Sequence, residues 1–387
     1  MKILNSKIKN LDLGLIWFGA AISIAEILTG TLFAPLGFSQ GILAIVIGHL
    51  IGCGLFFLVG LIGAKSEKTA MESVKIAFGE KGAIIFTFLN ILQLIGWTAV
   101  MISQGAGASS EVFSSNSTNM WSIIIGILII IWILIGIKNL EKINIISMSV
   151  LFILTLILSF NIFKGTSFEK TGGLSFGQAI ELSIAMPLSW LPLIGDYTKD
   201  AKNPFEGTLT ASLVYFFASI WMYIIGMSAA GFSGSSSISQ IMLKAGLGSI
   251  ALIIVIFSTV TTTFLDAYSG GVSCKSLFKN ISEKWAALIV TIIGIALAIF
   301  FDTGQFENFL YLIGSVFAPM ASVQIVDYFL IKNKKINSDF DFINIISWII
   351  GFIIYRIFLK AGLSIGATLP AILITGLVTF ILKKFFK

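Results

Sequence analysis

Twelve apolar runs, each about long enough to cross a lipid bilayer, follow one another through this 387-residue chain. They fall near residues 13–34, 40–63, 82–110, 120–137, 143–163, 175–197, 206–231, 247–272, 285–301, 305–331, 343–360 and 365–382. A spanning helix takes about 20 apolar residues, so twelve spans of about 22 use about 264 residues. Little is left beyond loops and ends. Composition agrees, with 57% of residues apolar and 11% charged, against about a quarter charged in a soluble domain. In lipid every backbone group needs an internal partner, and runs of this length meet that need as helices. The expected fold is all-α and integral to the membrane: one transmembrane domain of twelve helices over 1–387.

The formal charge of +6 does not point to nucleic acid, because the basic residues sit in short loop clusters rather than one stripe. Their distribution tests the span count. Cytoplasmic loops collect Lys and Arg. With the N-terminus inside, the inner segments hold Lys2, Lys7 and Lys9, then Lys65, Lys68, Lys75 and Lys81, then Lys138 and Lys142. They continue with Lys199 and Lys202, Lys275, Lys279 and Lys284, Lys332, Lys334 and Lys335, and Lys383, Lys384 and Lys387. Only Lys164, Lys170, Lys244, Arg356 and Lys360 of the 25 basic residues fall on the other side. A missing span would scramble that alternation, so both termini are expected in the cytoplasm and the protein in the cell membrane. The first run is too long and too rich in glycine for a cleaved signal peptide and reads as a spanning helix. Cys53 and Cys274 lie in or beside apolar stretches and outline no disulfide framework.

Two runs carry helix-disrupting residues. Pro187 and Pro192 flank Ser189 and Trp190 in the sixth, while Gly19, Glu26 and Gly30 interrupt the first. A proline in a helix interior removes a donor and costs about 3 kcal/mol. A proline kink and a discontinuous helix both fit such a run, but broken helices in corresponding positions mark a midplane binding site. Correspondence is visible: Ser23-Ile24-Ala25 recurs as Ser183-Ile184-Ala185, and each is followed by a Pro-Leu pair, Pro35-Leu36 and Pro192-Leu193. Five spans separate them, and an odd number inverts orientation. The pattern is a five-plus-five inverted repeat, with repeat one near 12–163, repeat two near 174–332 and a helix pair at 343–387.

Glu26 is a carboxylate at membrane depth, which is rare and usually functional, although a structural hydrogen bond within the bundle also fits. Asp266 in the eighth run raises the same question. Ser258, Thr262, Asp266 and Ser269 lie along one helix face, and Thr259, Thr261 and Thr263 widen the stripe. Hydroxyls in membrane helices often bond back to their own backbone, yet an oxygen-rich stripe beside broken backbone also suits Na⁺, and a protonatable Asp suits a proton. On the third run Gln93, Trp97 and Gln104 share a face; an indole there either packs at a helix crossing or stacks on a flat ligand. With Trp190 at the other break, two indoles would sandwich a planar ring. The single histidine, His49, reads as a bundle hydrogen bond or a proton site. Glu181, Asp196, Asp302, Glu307 and Asp327 lie near span ends and are expected to be solvated or to cap helices.

Several segments resemble one family: Trp17-Phe18-Gly19-Ala20, Gly41 through Gly63, the loop Met71-Glu72-Ser73-Val74 with Phe78-Gly79, and Gly195-Asp196-Tyr197-Thr198-Lys199. They resemble the nucleobase–cation symporters, the purine, pyrimidine and hydantoin permeases, over about the first 330 residues. The stretch from Ser23 to Gly37 is most similar to the CytX branch, which implies transport of hydroxymethylpyrimidine, a thiamine precursor. The resemblance implies the LeuT-type fold, two inverted five-helix repeats plus two C-terminal helices, with helices 1 and 6 discontinuous. It places Trp97 as the third-helix Trp that stacks on the ligand ring and Trp190 as its sixth-helix partner. The family's Gln four residues after the first Trp is Met101 here, so Gln93, Gln104 or Glu26 would read the ligand edge. Thr261 and Thr262 fall where the family's sodium-binding hydroxyls lie, with Ser258 before them and the carbonyls of Ile22 and Ala25 completing the set. The family's polar eighth-helix contact falls on Ala267, leaving Asp266 beside it as a candidate.

The function implied is secondary active import of hydroxymethylpyrimidine or a related pyrimidine, driven by Na⁺ or H⁺ through alternating access. The expected substrate-binding set is Glu26, Gln93, Trp97, Gln104, Ser189, Trp190 and Asp266. No cofactor is expected beyond the coupling ion, and the partners are a small planar heteroaromatic molecule and the lipid bilayer, with no obligatory protein partner. Cytosine, another nucleobase and hydantoin are the alternatives within transport. An embedded enzyme is disfavoured, since one histidine forms no zinc pair and no nucleotide-binding loop occurs.

Overall fold

The computed structural model describes residues 7–113, 117–135, 149–150, 152–153, 155–157, 159–160, 172–233, 240, 248–300 and 306–386. Lys2, Lys138, Lys142, Lys164, Lys170, Lys244, Asp302 and Lys387 lie outside these residues. The first repeat holds α1 (Asn10–Ala21), α2 (Ile24–Thr31), α3 (Phe38–Ser66), α4 (Ala70–Phe78), α5 (Ala83–Val112) and α6 (Thr118–Ile135). The second holds α7 (Phe176–Ser189), α8 (Leu191–Thr198), α9 (Pro204–Ser233), α10 (Gly248–Leu277), α11 (Glu283–Phe300) and α12 (Phe306–Ile325), the last running into a π-turn at Val326–Leu330. The C-terminal pair is α13 (Phe342–Ala361) and α14 (Thr368–Phe385). Among the described residues eight helices are long and apolar enough to cross a membrane, or nine with α1 and α2 counted as one bent span. The fifth apolar run lies largely outside the described residues, and those described between 149 and 160 are helical.

Peripheral helices are apolar on every side, as lipid requires. In α6, Ile125, Ile129 and Ile133 face inward while Ile123, Ile127 and Ile131 are exposed at the same spacing. Inside the bundle, glycines set the approach of α3 to the broken second-repeat helix. A Cβ on Gly48 would lie 2.3 Å from the Ser183 Cβ, on Gly52 2.4 Å from the Pro187 Cγ, and on Gly63 2.7 Å from the Gly195 Cα. Small residues at one helix face let backbones pack closely in lipid. That packing also explains why Pro187, expected at the break, does not interrupt its helix. Its ring fills the notch at Gly52, and α7 continues to Ser189. The interruption falls at Trp190, after which Pro192 stands in the first turn of α8, where a missing N–H leaves no intrahelical bond unmade.

The segment Met71–Val74, expected as loop, belongs to α4. Thr69 accepts from the Glu72 N–H at 3.4 Å and the Glu72 carboxylate accepts from the Thr69 N–H at 3.4 Å, a reciprocal cap. Of the near-end acids, expected to be solvated or to cap helices, Glu181, Asp196 and Asp327 are buried, and Glu181 and Asp196 cap helices. Glu181 accepts from the Tyr355 hydroxyl at 2.5 Å, from the Ala367 and Thr368 N–H groups at 2.8 Å each, and from the Thr368 hydroxyl. It caps α14 from α7, satisfying donors that a helix N-terminus otherwise leaves open. Asp196 likewise accepts from the Ala70 N–H at the start of α4, at 2.9 Å. Asp327 faces Lys383 at 3.4 Å.

Some of the basic segments contact one another. Lys7 pairs with Glu67 at 2.7 Å, and Lys81 with Asp339 at 2.6 Å. The Ile8 N–H donates to the Asp200 carbonyl at 2.7 Å, and the Lys202 N–H to the Ile8 carbonyl at 2.9 Å. The Lys7 ammonium holds the exposed Glu67 carboxyl below its ordinary range.

Candidate functional site

The α7–α8 junction is where polar groups converge with partners left over. The Trp190 carbonyl accepts from the Leu193 and Ile194 N–H groups at 3.0 Å each, which restarts the helix. The carbonyls on either side are held by α5: Gln93 donates through Nε2 to the Ser189 carbonyl at 3.0 Å, and Asn90 through Nδ2 to the Pro192 carbonyl at 3.2 Å. Asn90 also donates to the Ser273 hydroxyl of α10 at 2.9 Å and accepts from Gln93 Nε2 at 2.9 Å. Two buried atoms remain without a protein partner, the Gln93 Oε1 acceptor and the Trp190 Nε1 donor. A buried polar atom left unpaired costs about 1–3 kcal/mol, so an acceptor on α5 and a donor at the break, both in this state, describe candidates for a ligand's polar groups.

The surrounding rings define its walls. Trp190 meets the edge of Trp17 at 5.5 Å, and Trp17 in turn contacts Tyr197 and Tyr215. Trp97, one turn beyond Gln93 on α5, is buried against Phe306 and Phe309 of α12 at 5.8 and 5.4 Å. The two indoles thus rest on different neighbours. Gln104, two turns further on, is half-buried.

The α1–α2 junction differs. Ile22 and Ser23 leave helical geometry, and the two helices meet at a bend of 49°. Ser23 caps α2 by accepting from the Glu26 N–H at 3.3 Å. Across the gap the Ser258 hydroxyl of α10 donates to the Ile22 carbonyl at 3.1 Å. The Ala25 carbonyl accepts from the Thr29 hydroxyl at 2.7 Å, and Thr261 donates back to the Phe257 carbonyl at 2.7 Å. Thr262 Oγ1 is buried with no partner among the described residues. Ile22, Ala25, Ser258, Thr261 and Thr262 thus present only neutral, hard oxygens, the donor type that hard cations take. Ser258 and Ile22 already lie within contact distance, and the Thr262 oxygen awaits a partner, so the residues fit a small monovalent cation.

Asp266 stands one turn from Thr262 and is buried. Its level follows from the packing of α5 against α10. Asn90 meets Ser273 near one end, and a Cβ on Gly105 would lie 2.8 Å from Thr259 Oγ1 near the other. Halfway between, at equal rise per residue, come Trp97 and Asp266.

Glu26 belongs to a separate cluster. It is fully buried, and its two oxygens accept from the Tyr215 hydroxyl at 2.6 Å and the Ser219 hydroxyl at 2.8 Å, both on α9. Ser219 lies 2.6 Å from His49 Nε2, and His49 Nδ1 lies 2.8 Å from the Ser183 hydroxyl. His49 is therefore a bundle hydrogen-bond residue, joining α2 to α7 through α9 and α3. Sequence reading missed Asn90, Tyr215 and Ser219. A signal existed for each: Asn90 precedes Gln93 by three and Trp97 by seven, and Ser212, Tyr215, Ser219 and Tyr223 recur every three or four residues.

A bent first span, an interrupted counterpart in the second repeat and oxygen donors across the gap define a secondary transporter. The profile described as "Permease for cytosine/purines, uracil, thiamine, allantoin" matches residues 6–345, and the chain belongs to that family. Cytosine permease of Escherichia coli (strain K12) is 26% identical over 330 residues, covering 83% of this chain and 77% of the relative. Hydantoin permease of Microbacterium maritypicum is 22% identical over 361 residues, covering 84% and 74%. Among solved structures, Mhp1, a nucleobase-cation-symport-1 family transporter in a closed conformation with bromovinylhydantoin bound, superposes with a TM-score of 0.82. That match has 18% identity and covers 98% of this chain and 93% of Mhp1. A Na⁺-coupled sialic acid symporter in its substrate-bound outward-open state gives 0.74 at 13% identity, over 97% and 88%. The fold is the LeuT-type fold, and the protein is a multi-pass transporter of the nucleobase permease type, not an enzyme.

Proposed function

We propose that the protein imports hydroxymethylpyrimidine or a closely related aminopyrimidine across the cell membrane, driven by Na⁺ or H⁺. The observation that carries this reading is the two unpaired groups at the α7–α8 junction, the Oε1 of Gln93, whose amide donates to the Ser189 carbonyl, and the indole N–H of the next residue, Trp190. An aminopyrimidine edge offers an N–H and a ring nitrogen, which suit one acceptor and one donor. Trp97 supplies the face on which the ring lies, and the Ser189 carbonyl anchors the Gln93 head. Asp266, buried and level with Trp97, accepts the second hydrogen of the exocyclic amine. Glu26, whose oxygens are taken by α9, acts one step removed by holding α2 in place, and Gln104 closes the outer side of the pocket.

Na⁺ would be held by the Ile22 and Ala25 carbonyls and the hydroxyls of Ser258, Thr261 and Thr262. An ion there favours the arrangement in which α1, α2 and α10 are drawn together, and a ligand bound to the same arrangement gains affinity by the same factor. Uptake of labelled hydroxymethylpyrimidine into proteoliposomes tests the reading. Accumulation under an imposed sodium or proton gradient is expected, and none under either would overturn it. The names of the relatives favour cytosine or hydantoin as a second reading, which competition by those compounds at equal concentration would establish.

A further inference from the structure

A cavity of about 510 Å³ opens on the face where α12 and α14 end and α13 begins. It is a built site rather than a loose tail. Asn333 donates through Nδ2 to the Ile76 carbonyl at 2.9 Å and to Asp327 at 2.8 Å, and its Oδ1 accepts from Asn337 at 3.0 Å. The Glu80 N–H donates to the Ser338 carbonyl at 3.1 Å, which fixes the far side of the loop to the start of α5. Lys332 is held at φ +62°, a conformation that non-glycine residues rarely adopt.

Charge in this cavity does not balance. Lys332, Lys334, Lys335 and Lys383 line it against only Asp327 and Asp341. Lys383 takes both carboxylates, at 3.4 Å from Asp327 and in a short contact with Asp341. Lys334 sits 3.1 Å above the Tyr328 ring and donates to the Tyr328 carbonyl at 2.6 Å. Burial, then the neighbouring Lys65 and Lys332, pull its ammonium below the ordinary lysine range against the opposing pull of Asp327. Lys332 and Lys335 have no ion pair among the described residues. The cavity is thus a place where positive charge is concentrated and an anion is wanted.

The exposed residues that flank the lining in the chain say which anion. Leu330, Phe340, Phe342, Phe385 and Phe386 lie within three residues of lining positions and are all exposed, Phe342 by 68% and Phe385 and Phe386 by 72% each. Large aromatic side chains at the ends of apolar spans belong at the boundary between headgroups and acyl chains. A soluble phosphate compound has no use for those side chains, whereas a phospholipid covers them with its chains.

We propose that this cavity binds the phosphate headgroup of an anionic phospholipid, with Lys332 and Lys335 as its charge partners and the exposed phenylalanines against the acyl chains. Basic pockets between spans are suited to such headgroups, and each lysine contributes about fivefold to affinity, so the pair contributes about 30-fold.

Binding of short-chain phosphatidylglycerol, phosphatidylcholine and inorganic phosphate to the purified full-length protein in detergent tests the assignment. Phosphatidylglycerol should bind at low salt and weaken as salt is raised, while phosphatidylcholine should not compete. The double variant Lys332→Asn, Lys335→Gln should lose about 30-fold, because asparagine keeps the backbone at position 332 accessible. Lys279→Gln, on an exposed lysine after α10, should lose nothing, and the melting temperature of each variant reports that it is folded. Unchanged affinity in a folded double variant would overturn the proposal. Competition by inorganic phosphate as effective as phosphatidylglycerol would overturn the lipid, since the exposed phenylalanines would then play no part.

Discussion

The two interrupted spans solve one problem in opposite ways. At the α1–α2 junction two residues leave the helix, the chain bends by 49°, and the protein's own side chains fill the vacated positions. Ser23 caps the restart, Ser258 reaches the Ile22 carbonyl, and Tyr215 and Ser219 occupy Glu26. At the α7–α8 junction a single residue, Trp190, departs, and its φ of −86° and ψ of −8° stay near helical values. There α5 secures the carbonyls but leaves Gln93 Oε1 and Trp190 Nε1 unpaired. Non-helical backbone in a membrane needs either protein or a wet cavity beside it. The first junction is mostly closed by protein, whereas the second keeps two polar groups unpaired among the described residues. α10 reaches both, through Ser258 and Ser273.

The largest effect should come from removing the carboxylate that closes the first junction. Glu26→Ala orphans the buried Tyr215 hydroxyl, at roughly 1–3 kcal/mol, and leaves Ser219 with His49 alone, so the melting temperature of the purified protein should fall. Glu26→Gln, which keeps an acceptor and the shape, should recover most of that loss and bind ligand as tightly as before. If Glu26→Gln abolishes ligand binding at an unchanged melting temperature, the carboxylate is in the ligand site and the contrast between junctions is lost. Next comes Gln93→Leu, which removes the acceptor and frees the Ser189 carbonyl. Ligand affinity, read by tryptophan fluorescence, should fall roughly 10- to 100-fold for about 1.5–3 kcal/mol. A smaller drop, roughly tenfold, is expected for Trp97→Ala, since an aromatic pair contributes up to about 1.5 kcal/mol beyond burial. Unchanged affinity there would remove the stacking role.

How much of this was legible in the sequence depended on whether a residue's partner lay within its own helix. Both interrupted spans, the inward face of α5 and the hydroxyl stripe of α10 show in local spacing, because helical periodicity is written in adjacent residues. The exact break points were harder. Ser23 and Glu26 do form the Ser-x-x-Glu pattern that starts a helix, whereas Pro187 suggested a break that its fit against Gly52 prevents. Partnerships across the bundle were out of reach. Nothing near Glu26 in the chain indicates that Tyr215, 189 residues away, donates to it, and nothing near Glu181 indicates that it caps a helix beginning at Thr368. An acid near a span end therefore reads as solvated or capping alike until the element that covers it is known.

The finest test of the contrast lies on α10, where two adjacent threonines have opposite surroundings. Thr261 is bonded to the Phe257 carbonyl, while Thr262 is buried with its oxygen unpaired. Replacing a hydroxyl that has no protein partner by a methyl removes no bond and relieves a desolvated group, so Thr262→Val should leave the melting temperature unchanged or slightly raised. Its effect should appear only with sodium. If the ion takes this oxygen, the sodium concentration for half-maximal uptake should rise about fivefold, corresponding to about 1 kcal/mol for one lost donor. Thr261→Val should cost a hydrogen bond in the absence of sodium as well. Sodium dependence identical to the wild type in Thr262→Val, at full stability, would mean that the orphaned oxygen serves no cation and that the first junction is closed by protein alone.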